Sequence, residues 1–563
     1  MNATSGAGSI RAMSERAVLI LGAGVMQLPA IRAAQSIGVK SYVVDANPRA
    51  PGAELADRFA AIDLKAKEEL AHFAAGIPNL AGVFTAGTDF SASVAYVREQ
   101  LDLPGVPYEV ALDASEKGRM RRRFAEAGVP SPLYRTISPE EPLEPQLREA
   151  YSAVGVPGVV KPVDNMGARG VRLVRSEAEL PQAVRDARSH ARGGDVIYEE
   201  WIDGTEYSID ALVYQGHLTI TGVAERHIYF EPYFVEMGHT LPAVLSDEEE
   251  KTLLGTFQAG VRALGIENGA AKGDVFLRRS GGGAVGEIAA RLSGGYMSGW
   301  TYPYATGIPL TEAGLRLALG EDPRPLLKRE KRHTSAERAL ISIPGVVREV
   351  EGVPSVRAMP QLRELFLRAA PGDVVGPPRN NVEKCANVIV VGESREEALS
   401  AAGAALRGLL VRLEANRPET DRYLFDLRQE GTWAWYEELF EEATNRINAL
   451  SRRVLDRQDA SVSWVEDALR QKNLAISTES ENLREEAHWS GFSAASALGH
   501  LVASGVVRKD PGTDYFFSTL LLRAVALGGV QAAVYIRDSL LGSSGESANR
   551  WLSLLRDSLS GGD

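Results

Sequence analysis

The sequence contains Gly269-Ala-Ala-Lys-Gly-Asp-Val-Phe-Leu277, then a glycine-rich break over 280–283, then Ala284-Val-Gly-Glu-Ile-Ala-Ala-Arg-Leu-Ser-Gly-Gly295. The alternating run Gly273 to Leu277 and the run Ala284 to Ile288 predict two strands, and the glycines between them suit a hairpin turn. Asp274 and Glu287 should then lie on paired strands. If they share a face, their carboxylates suit Mg²⁺ bound to a nucleotide phosphate, although an ordinary surface hairpin would carry the same two residues.

The residues that follow this hairpin also suit an anionic ligand. Arg291 comes four residues after Glu287 and would place a permanent cation beside phosphates. Ser293, Gly294 and Gly295 offer backbone N–H groups for an anion-binding nest. The loop from Ser293 onward is therefore expected to line a substrate pocket.

The composition indicates a globular protein with several domains. The chain has 563 residues, 44% of them hydrophobic and 24% charged, whereas single cores stop growing at about 250–300 residues. Its net charge of -12 argues against a protein devoted to nucleic-acid binding. The single cysteine, Cys385, excludes an internal disulfide and a cysteine-based metal cluster, and it fits a reducing cytoplasm.

No targeting or membrane segment is predicted. Met1 to Arg16 lacks the apolar region of a secretory signal. The apolar segment Thr519 to Ile536 is interrupted by Arg523 and Gln531, so it falls short of a membrane span and is predicted to be a buried helix. We therefore expect a cytoplasmic protein that does not bind membranes.

The N-terminal part has the strand, helix, strand order of a parallel sheet. The apolar run Val18 to Leu21 leads into Gly22-Ala23-Gly24, and a second strand ends at Asp45. This order invites a dinucleotide-binding interpretation with Asp45 as the ribose ligand. The fingerprint requires a third glycine, however, and Gln27 occupies that position, so only half of the motif is present.

A lysine and a glycine-bearing loop further along suggest a phosphate-binding device. Lys161 ends an apolar strand, and the following loop contains Gly167 and Gly170. A point charge on a strand beside the N–H groups of a mobile loop suits phosphates, although a solvated lysine in a plain hairpin fits equally well. The order of these residues is not that of a Walker loop.

A third motif completes an ordered set. A strand leads through Glu199-Glu-Trp-Ile202 into a turn, and Glu206 begins the returning strand. Together with Lys117, Lys161 and the acidic hairpin, this order resembles the ATP-grasp superfamily over roughly residues 17–415. The resemblance is closest to the carboxylate–amine ligases, which include the L-amino-acid ligases and are related to biotin carboxylase.

The resemblance implies an α/β fold. The parts are a flexible N-terminus (1–16), a doubly wound, Rossmann-like domain (17–112), an ATP-grasp domain (113–320) with a lid at about 118–197, a biotin-carboxylase-like C-terminal lobe (321–417) and a mainly helical extension (418–563). In the lobe, strands are expected within Arg338 to Val350 and at Ala386 to Val391, and a helix over Ser394 to Leu413.

The resemblance also implies roles for individual residues. The expected ATP-binding residues are Lys117, Lys161, Gly167, Gly170, Glu199, Glu200, Trp201, Ile202 and Glu206. Asp274 and Glu287 would hold Mg²⁺ or Mn²⁺, and Arg291 would act with Lys161 in catalysis. One departure is Ala289, because many family members have asparagine there as a further metal ligand.

The reaction implied by the resemblance converts a small carboxylate into an acyl phosphate with ATP and joins it to an amine. Arg226 is a candidate for binding the carboxylate, and Glu236 or His239 for binding the amine. Ser293 to Gly295 are further candidates, and Tyr296, Trp300 and Tyr302 have no assigned role. Two alternatives remain: a carboxylase or carbamoyl-phosphate-type enzyme that uses bicarbonate, and a non-catalytic ATP-binding regulator.

The extension from about Pro418 carries no ligase motif. Helices are predicted at Trp433 to Leu455, Ser463 to Leu474 and Ala495 to Ser504. The run from Phe492 to Arg508 faintly resembles a winged-helix hairpin, but it lacks the basic residues that DNA contacts demand. Protein contact or homo-oligomerisation is therefore favoured over DNA binding.

Overall fold

The computed structural model describes residues 16–329, 333–426 and 515–542, together with 547, 550, 551, 553 and 554. They form two compact units. The first comprises the residues up to His227 with Pro232–Phe234 and His239–Ser335, and the second comprises Ile228–Glu231, Val235–Gly238 and the residues from Ala336 onward. Within the described ranges, no helix has both the length and the apolar character needed to cross a membrane.

The first thirteen strands in the described ranges are numbered β1 to β13 in chain order. They are β1 (Ala17–Leu21), β2 (Lys40–Val44), β3 (Arg58–Ala60), β4 (Leu80–Phe84), β5 (Tyr134–Ile137), β6 (Gly158–Pro162), β7 (Arg172–Val174), β8 (Val196–Glu200), β9 (Gly204–Tyr214), β10 (His217–Tyr229), β11 (Val235–Leu241), β12 (Gly269–Arg278) and β13 (Gly283–Ala289). The α-helices of the first unit are Leu28–Ser36, Lys67–Ala75, Ser91–Gln100, Tyr108–Asp113, Lys117–Glu126, Leu143–Val154, Leu180–Arg188, Asp247–Leu264, Tyr302–Thr306 and Leu310–Ala318.

The N-terminal domain is built on a parallel sheet with the order β3-β2-β1-β4. Successive residues of β1 pack into different apolar cores, with Val18 and Ile20 in one and Ala17, Leu19 and Leu21 in the other. A strand that is buried on both faces needs helices on both sides of the sheet. The predicted doubly wound domain is therefore confirmed.

A small antiparallel sheet with the order β5-β8-β6-β7 follows. Leu143–Val154 and Leu180–Arg188 pack against it, and the three elements share a core of their own that includes Val160 and Tyr198. This part lies where the sequence predicts the lid, and it carries Lys161 on β6.

The site is positioned by a second antiparallel sheet, in which the first unit contributes the order β13-β12-β9-β10. Helix Asp247–Leu264 shares an apolar core with Tyr207 and Ile209 of β9. Because side chains alternate along a strand, Ser208 and Asp210 point to the opposite face. One face of the sheet is thus apolar and helix-covered, and the other carries polar side chains.

The second unit contains β14 (Thr334–Leu340), β15 (Gly345–Glu351), β16 (Leu362–Leu367), β17 (Val374–Val375), β18 (Ala386–Gly392) and β19 (Leu410–Leu413). Its helices are Val353–Arg357, Arg395–Arg407, Pro418–Phe425 and Tyr515–Gly542. Strand β15 pairs with β17 and β19, and β16 pairs with β18, all antiparallel.

The sequence-based prediction of one helix from Ser394 to Leu413 is wrong at its end. The helix ends at Arg407, and Leu410 to Leu413 instead pair with β15. Gly408 allows this break: a Cβ there would lie 2.6 Å from the side chain of Val356. Glycine is therefore required for the close approach at which the helix ends.

The helical segment Tyr515–Gly542 belongs to the core of the second unit, and Gly529, with a φ of 55°, kinks it into two helices. Leu520, Leu521 and the apolar residues from Ala524 to Ile536 are buried. Gln531 connects this segment to the strands of the second unit by two hydrogen bonds. Its Nε2 donates to the carbonyl of Val411 at 2.7 Å, and its Oε1 accepts the N–H of Ile343 at 3.0 Å. The predicted buried helix is confirmed. The other predicted helices of the extension, and the winged-helix-like run from Phe492, lie outside the described residues.

Candidate active site

The polar face of β9, β12 and β13 brings the predicted carboxylates together. Asp274 of β12 lies directly opposite Glu287 of β13 and opposite Ser208 of β9. Two residues earlier on β12, Lys272 lies opposite Asp210. The hairpin and the pairing of Asp274 with Glu287 are confirmed.

Asp274 is bound by two cations of the protein itself. Lys272 forms an ion pair with it, and Arg226 Nη1 lies 3.0 Å from its Oδ1. The same Arg226 nitrogen lies 2.5 Å from Glu206 Oε1. The charge of Arg226 is thus directed to two carboxylates of the chain, and its use for a substrate carboxylate stays a prediction.

The surroundings of Glu206 disfavour the charged form of its carboxyl group. Burial raises its pKa, Arg226 opposes the shift, and the nearby Asp274 adds to it. The predicted contact of Glu206 with a ribose stays a prediction, and the structure adds that its carboxylate holds Arg226.

Glu287 remains ionised at neutral pH. Burial alone would raise its pKa, but surrounding cations hold the pKa at about 2. These cations are Lys117, Lys272, Arg291 and Lys161. The predicted phosphate-binding residues therefore surround a permanently charged carboxylate, and the pair Asp274 and Glu287 supplies the hard oxygen donors that Mg²⁺ or Mn²⁺ prefers.

Lys161 is oriented by a fully buried carboxylate. Its Nζ lies 2.8 Å from Glu199 Oε2, and Arg121 Nε lies 2.7 Å from the other oxygen. Burial would raise the pKa of Glu199, but Arg121 and Lys161 hold it at about 2. The side chain of Glu199 thus orients Lys161 and faces the interior, and its predicted contact with ATP could come only from the backbone.

The neighbouring hinge residues have partners in the chain. Glu200 pairs with Arg278, with 2.6 Å between Oε1 and Nη1, and the N–H of Trp201 donates to the carbonyl of Pro157 at 3.2 Å. Ile202 is buried. Their binding of adenine stays a prediction.

The glycine-bearing loop is held by Lys117. Its Nζ donates to the carbonyl of Asn165 at 2.9 Å. Gly167 and Gly170 have positive φ values, 70° and 73°, and a Cβ on Gly170 would meet His190 Cβ at 2.9 Å. The loop therefore needs both left-handed backbone and close approach at Gly170, which only glycine tolerates.

Arg291 is anchored by a loop of the N-terminal domain. Its Nε donates to the carbonyl of Thr88 at 2.8 Å, and its Nη1 donates to the carbonyl of Leu292 at 3.1 Å. The N–H of Gly87 donates to the same Leu292 carbonyl at 3.1 Å. The loop at the carboxyl end of β4 thus fixes the predicted catalytic arginine, as expected for ligand sites of doubly wound sheets.

The predicted anion nest is partly filled by the protein. The N–H of Ser293 donates to Asp210 Oδ1 at 3.0 Å, and a role of Ser293 to Gly295 in anion binding stays a prediction. Burial raises the pKa of Asp210 to about 6, although Ser293 opposes the shift. The sequence interpretation missed Asp210, but the alternation Glu206, Ser208, Asp210 is a signal that could have found it.

The remaining substrate candidates are placed as follows. His239 is fully buried in β11, and Glu236 belongs to the second unit, where its N–H donates to Asn381 Oδ1 at 2.8 Å. Tyr296 and Trp300 are buried and stack edge to face, with 5.8 Å between ring centroids. Tyr302 is buried too and donates to the carbonyl of Ser208 at 3.1 Å. These aromatic residues therefore pack in the interior.

The dinucleotide interpretation loses its remaining support. Asp45 Oδ2 accepts the N–H of Ala23 at 2.8 Å, within the glycine turn that would hold a pyrophosphate. Gln27, at the position of the missing glycine, is buried and donates to the carbonyl of Ala86 at 2.5 Å. Asp45 thus accepts the backbone N–H group that a pyrophosphate would need. Gln27 fills space that a dinucleotide fingerprint leaves open.

Two family profiles match this chain. Residues 154–299 match an ATP-grasp domain, and residues 338–414 match the L-amino acid ligase C-terminal domain 2. These two segments are therefore similar to an ATP-grasp domain and to the C-terminal region of L-amino acid ligases.

The chain is also similar to individual proteins. The chain is 26% identical to alanine–anticapsin ligase of Bacillus subtilis over 36% of this chain and 47% of that protein. It is also 26% identical to carnosine synthase 1 of Gallus gallus over 54% of this chain and 35% of that protein. The crystal structure of L-amino acid ligase from Bacillus licheniformis matches with a TM-score of 0.62 and 21% identity, over 71% of this chain and 99% of that chain. The match extends over less than half the length of these two relatives.

Proposed function

We propose that this protein is an ATP-dependent ligase that activates a small carboxylate as an acyl phosphate and joins it to an amine. The observation that carries the proposal is the pairing of Asp274 with Glu287 on a sheet face bordered by cations. The ligase relatives and the L-amino acid ligase lobe support it. They favour this reaction over one that uses bicarbonate.

The proposed chemistry depends on position and charge. An oxygen of the substrate carboxylate attacks the γ-phosphorus of ATP, and ADP leaves with the electron pair of the broken P–O bond. Lys117, Lys161 and Arg291 would neutralise the phosphate oxygens during this step. Phosphoryl transfer needs little covalent help from a protein, so a nucleophilic side chain is not required.

In the second step, the amine nitrogen attacks the carbonyl carbon of the acyl phosphate. A C–N bond forms, the C–O bond to phosphate breaks, and the nitrogen loses its extra protons. Arg291, held by the carbonyls of Thr88 and Leu292, would steady the departing phosphate. The loop with Gly167 and Gly170 would shield the acyl phosphate from water.

Asp274 and Glu287 would hold Mg²⁺ or Mn²⁺. The donor set fits, because Glu287 is ionised at neutral pH and phosphate oxygens and water can complete the coordination. When bound, such an ion neutralises phosphate charge. Ala289 supplies no ligand, so the protein contributes these two carboxylates.

The test is ADP release with Mg-ATP in the presence of amino acids and small carboxylic acids, singly and in pairs. We expect ADP only with a particular pair, together with a product lighter than the pair by one water. ADP release that depends on bicarbonate, with no condensed product in the mass spectrum, would contradict the proposal. ATP-induced thermal stabilisation with no turnover for any pair would favour a non-catalytic regulator.

A further inference from the structure

Lys272 forms an ion pair with one carboxylate and lies directly opposite a second on the neighbouring strand. It forms an ion pair with Asp274, two residues further along β12. It also lies directly opposite Asp210 of β9. Cα atoms of directly opposed residues on antiparallel strands are about 4.5–5.5 Å apart, a span that an extended lysine side chain covers. A rotation of one side chain can therefore exchange one partner for the other.

Asp210 has an oxygen that lacks a donor. Its Oδ1 accepts the N–H of Ser293, whereas Oδ2 accepts no hydrogen bond in the part of the chain that the structure describes, and the buried hydroxyl of Ser293 makes none there either. A hydroxyl at this place could share the carboxylate but would not neutralise its charge, as a lysine would. The side chain is fully buried. Leaving a buried carboxylate oxygen unpaired is costly, so Asp210 is expected to gain a donor in another state of the site.

The protein itself offers the donor. Arg291 donates hydrogen bonds to the carbonyls of Thr88 and Leu292. Arg226 forms ion pairs with both Glu206 and Asp274. Lys272, in contrast, holds a carboxylate that the proposed function assigns to the metal. A cation that enters at Asp274 would repel the ammonium group of Lys272 and compete with it for the same oxygens.

We propose that Lys272 exchanges Asp274 for Asp210 when a divalent cation binds at Asp274. The inference rests on the proposed function, which assigns Asp274 to the metal. Ala289 lies opposite Lys272 on β13, and its small side chain leaves room for the rotation. Lys272 and Asp210 are then positioning residues: the lysine neutralises Asp274 before a metal binds, and it pairs with Asp210 once the metal is bound.

The experiment is a double-mutant cycle read by metal binding rather than by turnover. Mn²⁺ affinity is measured by electron paramagnetic resonance in the presence of a non-hydrolysable ATP analogue. The proteins are the full chain, Asp210→Asn, Lys272→Met and the double variant. Asp210→Asn alone should weaken Mn²⁺ binding about 10- to 100-fold, because the displaced lysine then loses the carboxylate that lies directly opposite it.

Removing Lys272 should remove this effect. In the Lys272→Met background, Asp210→Asn should change Mn²⁺ affinity less than about twofold, since no displaced ammonium needs a partner. Asp322→Asn is the matched control: its exposed carboxylate pairs with Arg324, and we expect unchanged Mn²⁺ affinity.

Two results overturn the exchange. Asp210→Asn could leave Mn²⁺ affinity unchanged, or it could weaken binding equally with and without Lys272. Melting temperatures of the metal-free variants show whether each protein is folded during the measurement. A failure of the proposed function gives a different result from these two. In that case the unmodified protein binds no Mn²⁺ in the presence of the analogue, which also overturns the exchange.

Discussion

Arg121 Nε lies 2.7 Å from Glu199 Oε1, and each of the two side chains is 1% exposed. The other oxygen of Glu199 holds Lys161, and Arg121 Nη2 donates to the carbonyl of Gly286 at 2.6 Å, next to Glu287. One buried ion pair therefore links the lysine proposed to bind phosphate with the strand that carries a proposed metal ligand. Its integrity should matter for both stability and ATP binding.

Glu199→Gln should destabilise the first unit strongly. Removing one member of a buried ion pair leaves the other charge uncompensated, which costs about 3–5 kcal/mol. Urea unfolding measures this loss. Glu200→Gln is the control for stability, because Glu200 and Arg278 are partly exposed and such pairs contribute about 0–1 kcal/mol. Equal losses in the two variants would contradict the importance of the buried pair.

Asp210→Asn should stabilise the metal-free protein at neutral and higher pH. The folded state raises the pKa of Asp210 from 3.8 to about 6. The stability that this group contributes is therefore complete below about pH 3.8 and is lost as the pH rises through 6. Asparagine stays neutral, so the variant should gain about 3 kcal/mol above pH 7 and no advantage near pH 4. Melting curves at both pH values test the sign, and a less stable variant at high pH would contradict it.

The local parts of the site are predictable from the sequence. Asp274 and Glu287 are separated by a short glycine turn, and the period of two along each strand fixes their shared face. The same reasoning extended along β9 would have found Asp210, because Ser208 and Glu206 alternate with apolar residues there.

The long-range contacts are not predictable in this way. Arg121 and Glu199 are 78 positions apart. The helical period places Arg121 on the buried face of Lys117–Glu126 with Met120 and Phe124, but it does not identify Glu199 as the partner. Their pairing depends on how that helix packs beside β8. The end of the helix at Arg407 was missed for a related reason: strand pairing with β15 overrides local helix propensity.

Glu287→Gln should abolish turnover and leave the fold intact. The substitution keeps the shape of the side chain but removes the charge that the surrounding cations maintain. The variant would hold the proposed metal weakly, and losing the electrostatic stabilisation that the metal gives the phosphate typically costs about 10²–10³-fold in rate. ADP release with the substrate pair measures activity, and thermal unfolding measures the fold. Glu248→Gln, at an exposed position of the helix Asp247–Leu264, should behave as the unmodified protein.

Gln531→Leu should destabilise the second unit. The amide of Gln531 is buried, and it bonds to the carbonyl of Val411 and the N–H of Ile343. Each buried group left without a partner costs about 1–3 kcal/mol, so the melting temperature should fall. Leu541→Gln on the same helix is the control, because that side chain is 72% exposed. An unchanged melting temperature for Gln531→Leu would mean that the helix is not held by this amide.

Gly87→Ala should lower turnover by displacing Arg291. Gly87 has a φ of +61°, and an added Cβ would lie 2.7 Å from Gly294 Cα. Backbone atoms cannot yield like a flexible side chain, so the loop must move. Thr88, whose carbonyl holds Arg291 at 2.8 Å, would move with it.

Gly38→Ala separates this clash from simple backbone strain. Gly38 has a φ of +72°, but nothing lies within 4 Å of an added Cβ. Both variants therefore carry the cost of a left-handed alanine, about 1–2 kcal/mol, and only Gly87→Ala carries the clash. We expect similar or greater loss of stability in Gly87→Ala and a fall in the rate of ADP release that Gly38→Ala does not show. Equal turnover in the two variants would mean that the loop after β4 does not position Arg291 for the reaction.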